Sequence, residues 1–390
     1  MMRVLFATPL ALDHPGSGGT IKSAALLTYL ERRHEVDVAC FVRPGQTWTR
    51  ERGRTLTVPL DRPRTPGRLA ASYLHRVPLS IERNRSPELS SKIAGLLAEE
   101  RHDVFVADHW LMAQYLPRTF GGRTFLHEHN AEHRLWRRQA DATRPGPVRW
   151  AMRREAERIH RYEAEILRRF EVVFAVSEAD RDALLALGAP PPVPILPNVP
   201  DPTLLHRPAL EPVPEPVLLF FGTLSWRPNA DGLTRFLDQG FPALRRELPD
   251  VRMVIAGQGA PASLTTRVGR TPGVEIVGDV HDDEPLYRAA RCFVDVGIGG
   301  GETRVKVLNA MARGLPVVAT AHAADGLAVR PGEHLLLADD PASAPGPIVR
   351  LLRDDGLWTA LSRAGRELVR DRYVPEVAFA AFDEALDLAT

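Results

Sequence analysis

The sequence predicts an α/β protein built from two Rossmann-like, doubly wound domains. Short apolar runs typical of buried strands alternate with segments of helical periodicity in both halves of the chain. Between the halves, Gly188–Pro216 holds eleven of the 34 prolines. Proline lacks a backbone donor and fixes φ, so this segment cannot continue a helix or a central strand. These observations predict two parallel sheets covered by helices and joined by a proline-rich linker.

The first half opens with a strand–loop–helix–strand unit. Gly18 and Gly19 lie in its loop, where they would let backbone approach a ligand closely, although the GxGxxG pattern is absent. A plain tight turn is an equally good interpretation. The predicted elements of this half are strands over 3–7, 36–42, 104–107, 123–126 and 172–176, and helices over 21–33, 89–100, 144–170 and from Glu178, with a loop and short helices over 58–85.

Six charged or polar side chains lie in the segment HEHNAEH, where the predicted strand 123–126 ends: His127, Glu128, His129, Asn130, Glu132 and His133. His129 and His133 have the spacing of two zinc ligands on one helical turn. The HExxH order is absent, and no Cys or distant His cluster completes a site. We therefore favour a hydrogen-bonding strand end over a metal centre.

The helix predicted over 144–170 mixes Arg and Glu at helical spacing. A solvated helix with ion pairs is the simpler interpretation, and we favour it. A surface for a membrane or a partner is the alternative, weakened by the interspersed acids.

Composition excludes some classes of function. A net charge of +1 argues against a general nucleic-acid binder. Cys40 and Cys292 both lie in apolar runs, which is typical of buried thiols in a reducing compartment. The N-terminal apolar run reads as a strand and no run reaches the length of a membrane span, so we expect a cytoplasmic protein. Lysine occurs only at Lys22, Lys92 and Lys306, whereas the other basic residues of the 50 are arginines.

The second half repeats the alternation. Each predicted strand ends in a turn signal, so the ends of the strands should form a ligand-binding edge. The predicted elements are strands over 217–221, 251–256, 274–277, 292–298 and 315–320, and helices over 231–237, 347–352, 357–368 and 374–388, besides the helix that ends at Gly314.

The stretch Cys292–Thr320 carries the strongest chemical signal. A strand leads into three glycines, a helix follows, and Gly314 closes it before a further strand. Free N–H groups and the positive end of the helix form a seat for an anion, and phosphate is the first candidate. Arg304 and Lys306 add positive charge beside it.

Several motifs together resemble the retaining glycosyltransferases of family 4, which have the GT-B fold. FFGTLSWRPNADG at 220–232, VIAGQG at 254–259, GGGETRVKVLNAMARGLPVVAT and Asp325-Gly326-Leu327 match the C-terminal half of that family in order and spacing. GSGGT, HNAEH, the turn at 176–178 and Leu196-Pro197-Asn198 are similar to its N-terminal half. The resemblance covers essentially the whole chain.

The resemblance implies two domains facing a cleft, with the acceptor on the first domain and a nucleotide-diphospho-sugar on the second. The acceptor would be a hydroxylated small molecule, lipid or glycan. The domains would be 1–195, completed by a C-terminal helix over 372–390, a linker at 196–216, and 217–371. The reaction needs no metal and no cofactor beyond the sugar nucleotide.

The family pattern also implies roles for single residues. Arg304, Lys306 and the helix end would stabilise the leaving diphosphate, which would itself deprotonate the acceptor. His129 would orient the donor sugar, with Glu302 as a further catalytic residue. The donor-binding residues would be Gly18, Gly19, Gly222, Thr223, Arg227, Gly257, Gly259, Val280, Gly300, Gly301, Thr303 and Asn309.

The chain departs from the family at the two glutamates that are usual near the helix. Gly301 and Asn309 occupy those positions; Glu302 lies one place away, and Asn309 can bond a ribose hydroxyl without charge assistance. Thr223 and Pro228 replace a usual Arg and Lys. Two other functions therefore remain open: a catalytically silent sugar-nucleotide-binding protein, and a sugar-nucleotide epimerase of the same fold, which would need acid and base carboxylates.

Overall fold

Two parallel sheets dominate the protein, as the sequence predicts. The computed structural model describes residues 1–13, 18–60, 65–278, 280–298 and 304–387. The chain divides into a first unit, Met1–Pro197 with Ala378–Thr390, and a second unit, Asn198–Val377. Each unit has one six-stranded sheet, in the order β3-β2-β1-β4-β5-β6 in the first and β12-β11-β10-β7-β8-β9 in the second.

All pairings between these strands are parallel. The central strands are buried on both faces, which explains their continuous apolar runs. The strands are β1 (Arg3–Thr8), β2 (Glu35–Val42), β3 (Thr55–Pro59), β4 (Val104–Asp108), β5 (Arg123–His127), β6 (Val172–Phe174), β7 (Val217–Phe221), β8 (Arg252–Ala256), β9 (Val274–Val277), β10 (Cys292–Asp295), β11 (Val317–Thr320) and β12 (Leu336–Ala338).

Helices lie between the strands along the chain. They are α1 (Gly18–Glu31), α2 (Pro66–Leu74), α3 (Leu79–Arg83), α4 (Pro87–Glu99), α5 (Glu132–Ala142), α6 (Pro147–Leu167), α7 (Glu178–Leu187), α8 (Arg227–Arg235), α9 (Phe241–Glu247), α10 (Ala262–Val268), α11 (Glu284–Ala289), α12 (Val305–Arg313), α13 (Ala321–Ala324), α14 (Pro345–Arg353), α15 (Asp355–Arg372), α16 (Pro375–Ala378) and α17 (Ala380–Asp387). The described residues also form two 3₁₀ turns, at Trp110–Tyr115 and Pro202–His206, and a π-helical turn at Phe236–Gly240.

Several elements differ from the sequence-based expectation. Strand β3 extends to Pro59, so it takes up the first two residues of the loop expected over 58–85. The strand expected over 292–298 ends at Asp295, and the helix expected over 374–388 is divided into α16 and α17. The long helix expected over 144–170 begins later, at Pro147, and α5 precedes it after a break at Thr143. The helix expected from Ile21 already begins at Gly18. Local periodicity locates such helices better than it locates their ends.

The last helix packs on the first unit. The Phe382 ring stacks on Phe174 at a centroid distance of 5.2 Å and meets Phe125 edge-on at 5.3 Å. Tyr29 Oη donates to Asp383 Oδ2 at 2.6 Å. Within the described residues, no helix combines the length and the apolar character that crossing a bilayer requires.

The proline-rich segment belongs mostly to the second unit, where helix α12 holds it. Asp201 N–H donates to Asn309 Oδ1 at 2.9 Å, and the buried Arg313 guanidinium donates to Pro208 O and to the Glu284 carboxylate. Leu204 and Leu210 are buried in the core of this unit. The segment is thus packed against the sheet domain that follows it.

Candidate active site

Asp108 is the centre of a buried polar cluster in the first unit. Strands β1, β4 and β5 are neighbours, so their carboxyl ends bring Thr8, Asp108 and His127 together. Thr8 Oγ1 donates to Asp108 Oδ2 at 2.9 Å, while His127 Nδ1 and His129 Nε2 lie 2.8 and 3.1 Å from Asp108 Oδ1. Asp108 and His127 are completely buried. One carboxylate therefore fixes two histidine rings.

Burial and neighbouring charges together determine which groups of this cluster are protonated. Burial opposes ionisation of Asp108, but His129 and His127 outweigh it and hold the pKa of the carboxyl well below its usual range. An ionised carboxylate only accepts hydrogen bonds, so both ring nitrogens that face it carry protons. Burial, helped by the charge of Lys22, lowers the pKa of His127 to about 3, and the ring is neutral.

His129 presents its other nitrogen to the start of helix α1. A Cβ placed on Gly19 would lie 3.3 Å from His129 Nδ1, so a glycine leaves this edge of the ring open. Gly18 and Gly19 form the first turn of the helix, whereas the sequence suggested a loop. First-turn N–H groups have no partner within their own helix, and they are suited to bind negatively charged oxygens.

Lys22, on the same helix, is a buried cation beside this cluster. Its Nζ donates to Leu196 O at 2.5 Å, and its side chain is fully buried. Burial lowers the pKa of Lys22 to about 7, although Asp108 and Asp180 oppose the shift. From the sequence alone, Lys22 was notable only as one of three lysines.

The carboxylates of HEHNAEH form a separate cluster. Glu163 Oε1 accepts from Glu132 N–H at 2.9 Å, and Glu163 Oε2 lies 2.7 Å from His133 Nδ1. Burial and the charge of Glu163 raise the pKa of Glu132 to about 8, and for the same reasons they raise that of Glu128 well above its usual value.

His129 and His133 are therefore bound to different carboxylates and do not form the zinc pair considered from the sequence. Ligand atoms of Asp108, His127 and His129 do lie within 4.8 Å of one another, close enough to share a cation. His127 Nδ1 and His129 Nε2 are already bound to Asp108, whereas the buried His127 Nε2 has no hydrogen-bond partner among the described residues.

In the second unit, two glycine loops press together at the carboxyl ends of β7 and β8. A Cβ on Gly257, whose φ is +141°, would lie 1.9 Å from Gly222 O. A Cβ on Gly259, with φ +74°, would lie 2.7 Å from Ser225 Cβ. Leu224 N–H donates to Gln258 O at 2.9 Å. Only glycine fits these two positions, and the two loops pack closely against each other there.

Lys306 extends over the first of these loops. Its Cδ would meet a Cβ on Gly222 at 3.4 Å, and its Nζ lies 5.1 Å from the centre of the Phe220 ring. Lys306 Nζ donates to Asn229 Oδ1 at 2.5 Å and lies 3.4 Å from Asp295 Oδ1. The ammonium group is thus held at the carboxyl edge of the sheet, beside this loop.

Arg304 precedes helix α12 and has left-handed backbone, with φ +49°. Its Nε donates to Asp325 O at 2.9 Å, and its side chain is nearly buried. This contact joins two of the motifs that carry the family resemblance.

Asn309 Oδ1 accepts from the backbone N–H of Asp201 at 2.9 Å. Thr223 and Arg227 are exposed, and Arg227 Nε donates to Asp231 Oδ2 at 3.1 Å. Val280 packs at the edge of the core. Gly300, Gly301, Glu302 and Thr303 lie outside the described residues.

The sequence interpretation missed Asp108, Asn229 and Asp295. Each has a local signal: Asp108 and Asp295 end buried strands, and Asn229 lies in the WRPN motif. Asp108 accepts from Thr8, 100 residues away, and Asn229 from Lys306, 77 residues away, so the folded sheets join them.

Comparison with known proteins gives two family matches. Residues 18–204 match the model of Glycosyltransferase Family 4, and residues 215–354 match that of Glycosyl transferases group 1. A phosphatidyl-myo-inositol mannosyltransferase of Mycobacterium leprae is 33% identical over 144 residues, which are 36% of this chain and 38% of that relative. The match thus spans little more than a third of the relative's length.

Solved structures of similar fold align over nearly the whole chain. Sucrose-phosphate synthase from Thermosynechococcus elongatus superposes with a TM-score of 0.74 at 19% identity, covering 100% of both chains. HepE of Anabaena in complex with UDP-glucose gives a TM-score of 0.66 at 15% identity, covering 99% of this chain and 100% of HepE.

Proposed function

Because the chain belongs to the family 4, group 1 glycosyltransferases and has the GT-B fold, we propose that it transfers a sugar from a nucleotide-diphospho-sugar to a hydroxyl group of an acceptor, with retention of anomeric configuration. The observation that carries this proposal is the placement of Lys306. Its ammonium lies over Gly222, held by Asn229, at the sheet edge where α/β proteins bind ligands.

The donor diphosphate would bind in the second unit. Lys306 and the start of helix α12 supply positive charge, and Gly222, Gly257 and Gly259 let backbone approach the phosphate oxygens. Breaking the anomeric bond leaves charge on these oxygens, and preorganised cations stabilise it. We propose that this charge stabilisation replaces a metal ion.

The sugar-facing group of the first unit would be His129. Asp108 fixes its ring through Nε2–H, which directs Nδ1 toward Gly19 and the start of helix α1. In a neutral ring held in this way, Nδ1 is the acceptor, and it can bind and orient a sugar hydroxyl that donates to it. In a retaining reaction the leaving phosphate would take the acceptor proton on the same face of the sugar.

A relative crystallised with UDP-glucose and one named for a phosphatidylinositol acceptor support a sugar-nucleotide donor and a glycan or lipid acceptor. Both cysteines are free and buried. Free thiols suit a reducing compartment, and we propose a cytoplasmic reaction.

Asn309 favours a second candidate, a protein that binds the donor without turnover. A carboxylate is usual at this position in the family. In this chain it is replaced by the amide of Asn309, whose Oδ1 already accepts from the N–H of Asp201. A ribose hydroxyl would then be bound by a neutral amide N–H. That hydrogen bond is weaker than one to a charged carboxylate.

A donor panel distinguishes these functions. Purified protein is incubated with sugar nucleotides and hydroxylated acceptors, and the products are analysed by NMR for anomeric configuration. Transfer or slow donor hydrolysis with retention supports the proposal. Calorimetric binding of a donor without turnover supports the silent protein, and appearance of an epimerised donor supports the epimerase.

A further inference from the structure

Exposed apolar side chains concentrate on one part of the first unit. Among the described residues, eight large hydrophobic side chains are exposed, and five of them lie on helix α2 and the first turn of α6. Leu74 is 80% exposed and Trp150 is 65% exposed. We call these five residues the apolar patch: Leu69, Tyr73, Leu74, Val148 and Trp150.

The two helices of the apolar patch are neighbours in the same unit. The Arg158 guanidinium of α6 lies 4.1 Å from the centre of the Tyr73 ring and donates to Ser72 O at 2.8 Å. Leu79 N–H donates to Glu155 Oε1 at 2.5 Å. The exposed residues of α2 therefore lie beside the middle of α6, and Val148 and Trp150 lie about 12–15 Å nearer the start of that helix.

Positive charge surrounds the patch. Residues 65–86 and 131–161 contain thirteen arginines and five acidic residues, a net charge of +8, whereas the whole chain has +1. The rest of the chain thus carries −7. This concentration is not visible in the overall composition.

Acids at the surface pair with part of this charge: Glu157 lies 3.5 Å from Arg154, and Asp141 lies 2.8 Å from Arg153. Glu155 is mostly buried and bound to Arg158 and to the backbone of Leu79. Arg138 and Arg144 remain exposed. The ion pairs expected from the sequence are therefore present on this helix, and exposed arginines lie beside them.

We propose that the apolar patch and its arginines dock the protein on a lipid surface rich in anionic headgroups. Trp and Tyr prefer the boundary between headgroups and acyl chains, leucine and valine enter the apolar layer, and arginine pairs with lipid phosphates. A nucleic acid or an acidic protein would use the arginines but would gain little from exposed Leu74 and Val148. This inference concerns binding alone and does not depend on the proposed reaction.

Co-sedimentation of the full chain with vesicles tests the proposal. We compare phosphatidylcholine vesicles with vesicles that also contain phosphatidylglycerol, at low and high salt. Binding is expected only to the anionic vesicles, and high salt should weaken it, because salt screens exposed charge. Each arginine near such a surface strengthens binding about fivefold, so Arg138→Ala with Arg144→Ala should weaken it roughly 25-fold.

The apolar contribution is tested by Leu74→Ser with Trp150→Ser, which should weaken vesicle binding about tenfold or more. These side chains are solvent-exposed, so folding should be unaffected. Leu185→Ser with Val377→Ser is the matched control, since these are exposed apolar residues outside the patch. Arg270→Ala with Arg363→Ala is the matched charge control.

Three outcomes would overturn the proposal. The wild-type protein fails to bind anionic vesicles; or the patch variants bind as well as their controls; or the protein binds an RNA or a polyglutamate probe through these arginines while vesicles do not compete. A blue shift of tryptophan fluorescence on adding anionic vesicles, lost in Trp150→Phe, would support insertion of this residue.

Discussion

Replacing Asp108 by Asn tests the link between the buried carboxylate and His129. The side chain keeps its shape and one oxygen, so the least costly orientation turns that oxygen to the two histidines and the amide nitrogen to Thr8, whose hydroxyl can also accept. The hydrogen bonds survive, but they lose their charge.

The expected loss follows from these contacts. A hydrogen bond to a charged partner contributes about 1.5–3 kcal/mol, and a neutral one about 1. The weakening of the bond to His129 then amounts to about 0.5–2 kcal/mol of transition-state stabilisation, or a roughly 2- to 30-fold lower kcat. The donor KM should change little. Because the pKa of Asp108 lies well below its usual range, the effect should be the same from mildly acidic to mildly basic pH.

Asp37→Asn provides the matched control. Asp37 is also buried, and its Oδ2 lies 2.9 Å from His102 Nε2, but it lies early in strand β2, away from the carboxyl ends. Initial rates are normalised to the folded fraction measured by circular dichroism. Wild-type kcat in Asp108→Asn, or an equal fall in Asp37→Asn, would refute a specific role for Asp108.

Three further predictions concern the second unit and acid stability. Lys306→Ala should lower kcat about 10²–10³-fold and weaken nucleoside diphosphate binding in calorimetry, while the exposed Lys92→Ala should not; equal effects would remove Lys306 from the donor site. Gly257→Ala should destabilise the second unit by about 2 kcal/mol or more in thermal unfolding, because its Cβ clashes with backbone at a positive φ. Gly346→Ala, which has free space around it, should be near neutral, and a harmless Gly257→Ala would contradict the packed loops. His127 has a folded pKa of about 3, below the usual 6.5, so the unfolded chain binds an extra proton between these values and stability falls as pH decreases. His127→Asn should reduce that loss by up to about 1.4 kcal/mol per pH unit, measured by denaturant unfolding; an unchanged slope would mean that His127 is not held neutral.

Much of this protein was readable from its sequence, because the relevant signals are local. Alternation of apolar runs and helical periodicity predicted both sheets, and the strands at 217–221 and 274–277 were predicted to the residue. Ser177 caps helix α7 as expected, its Oγ accepting from Asp180 N–H. Residues close in the chain determine strands, caps and turns.

The tertiary structure decided which polar groups meet. Asp108 and His129 are separated by 21 residues and come together only because β4 and β5 are neighbours in the sheet. The oxygen of Asn309 is bound by a segment 108 residues away, which no local pattern could indicate. Arg158 of α6 contacts Tyr73 of α2 across 85 residues for the same reason. Spacing along the chain predicts elements, whereas a site depends on contacts between elements, and those form only when the whole sheet is assembled.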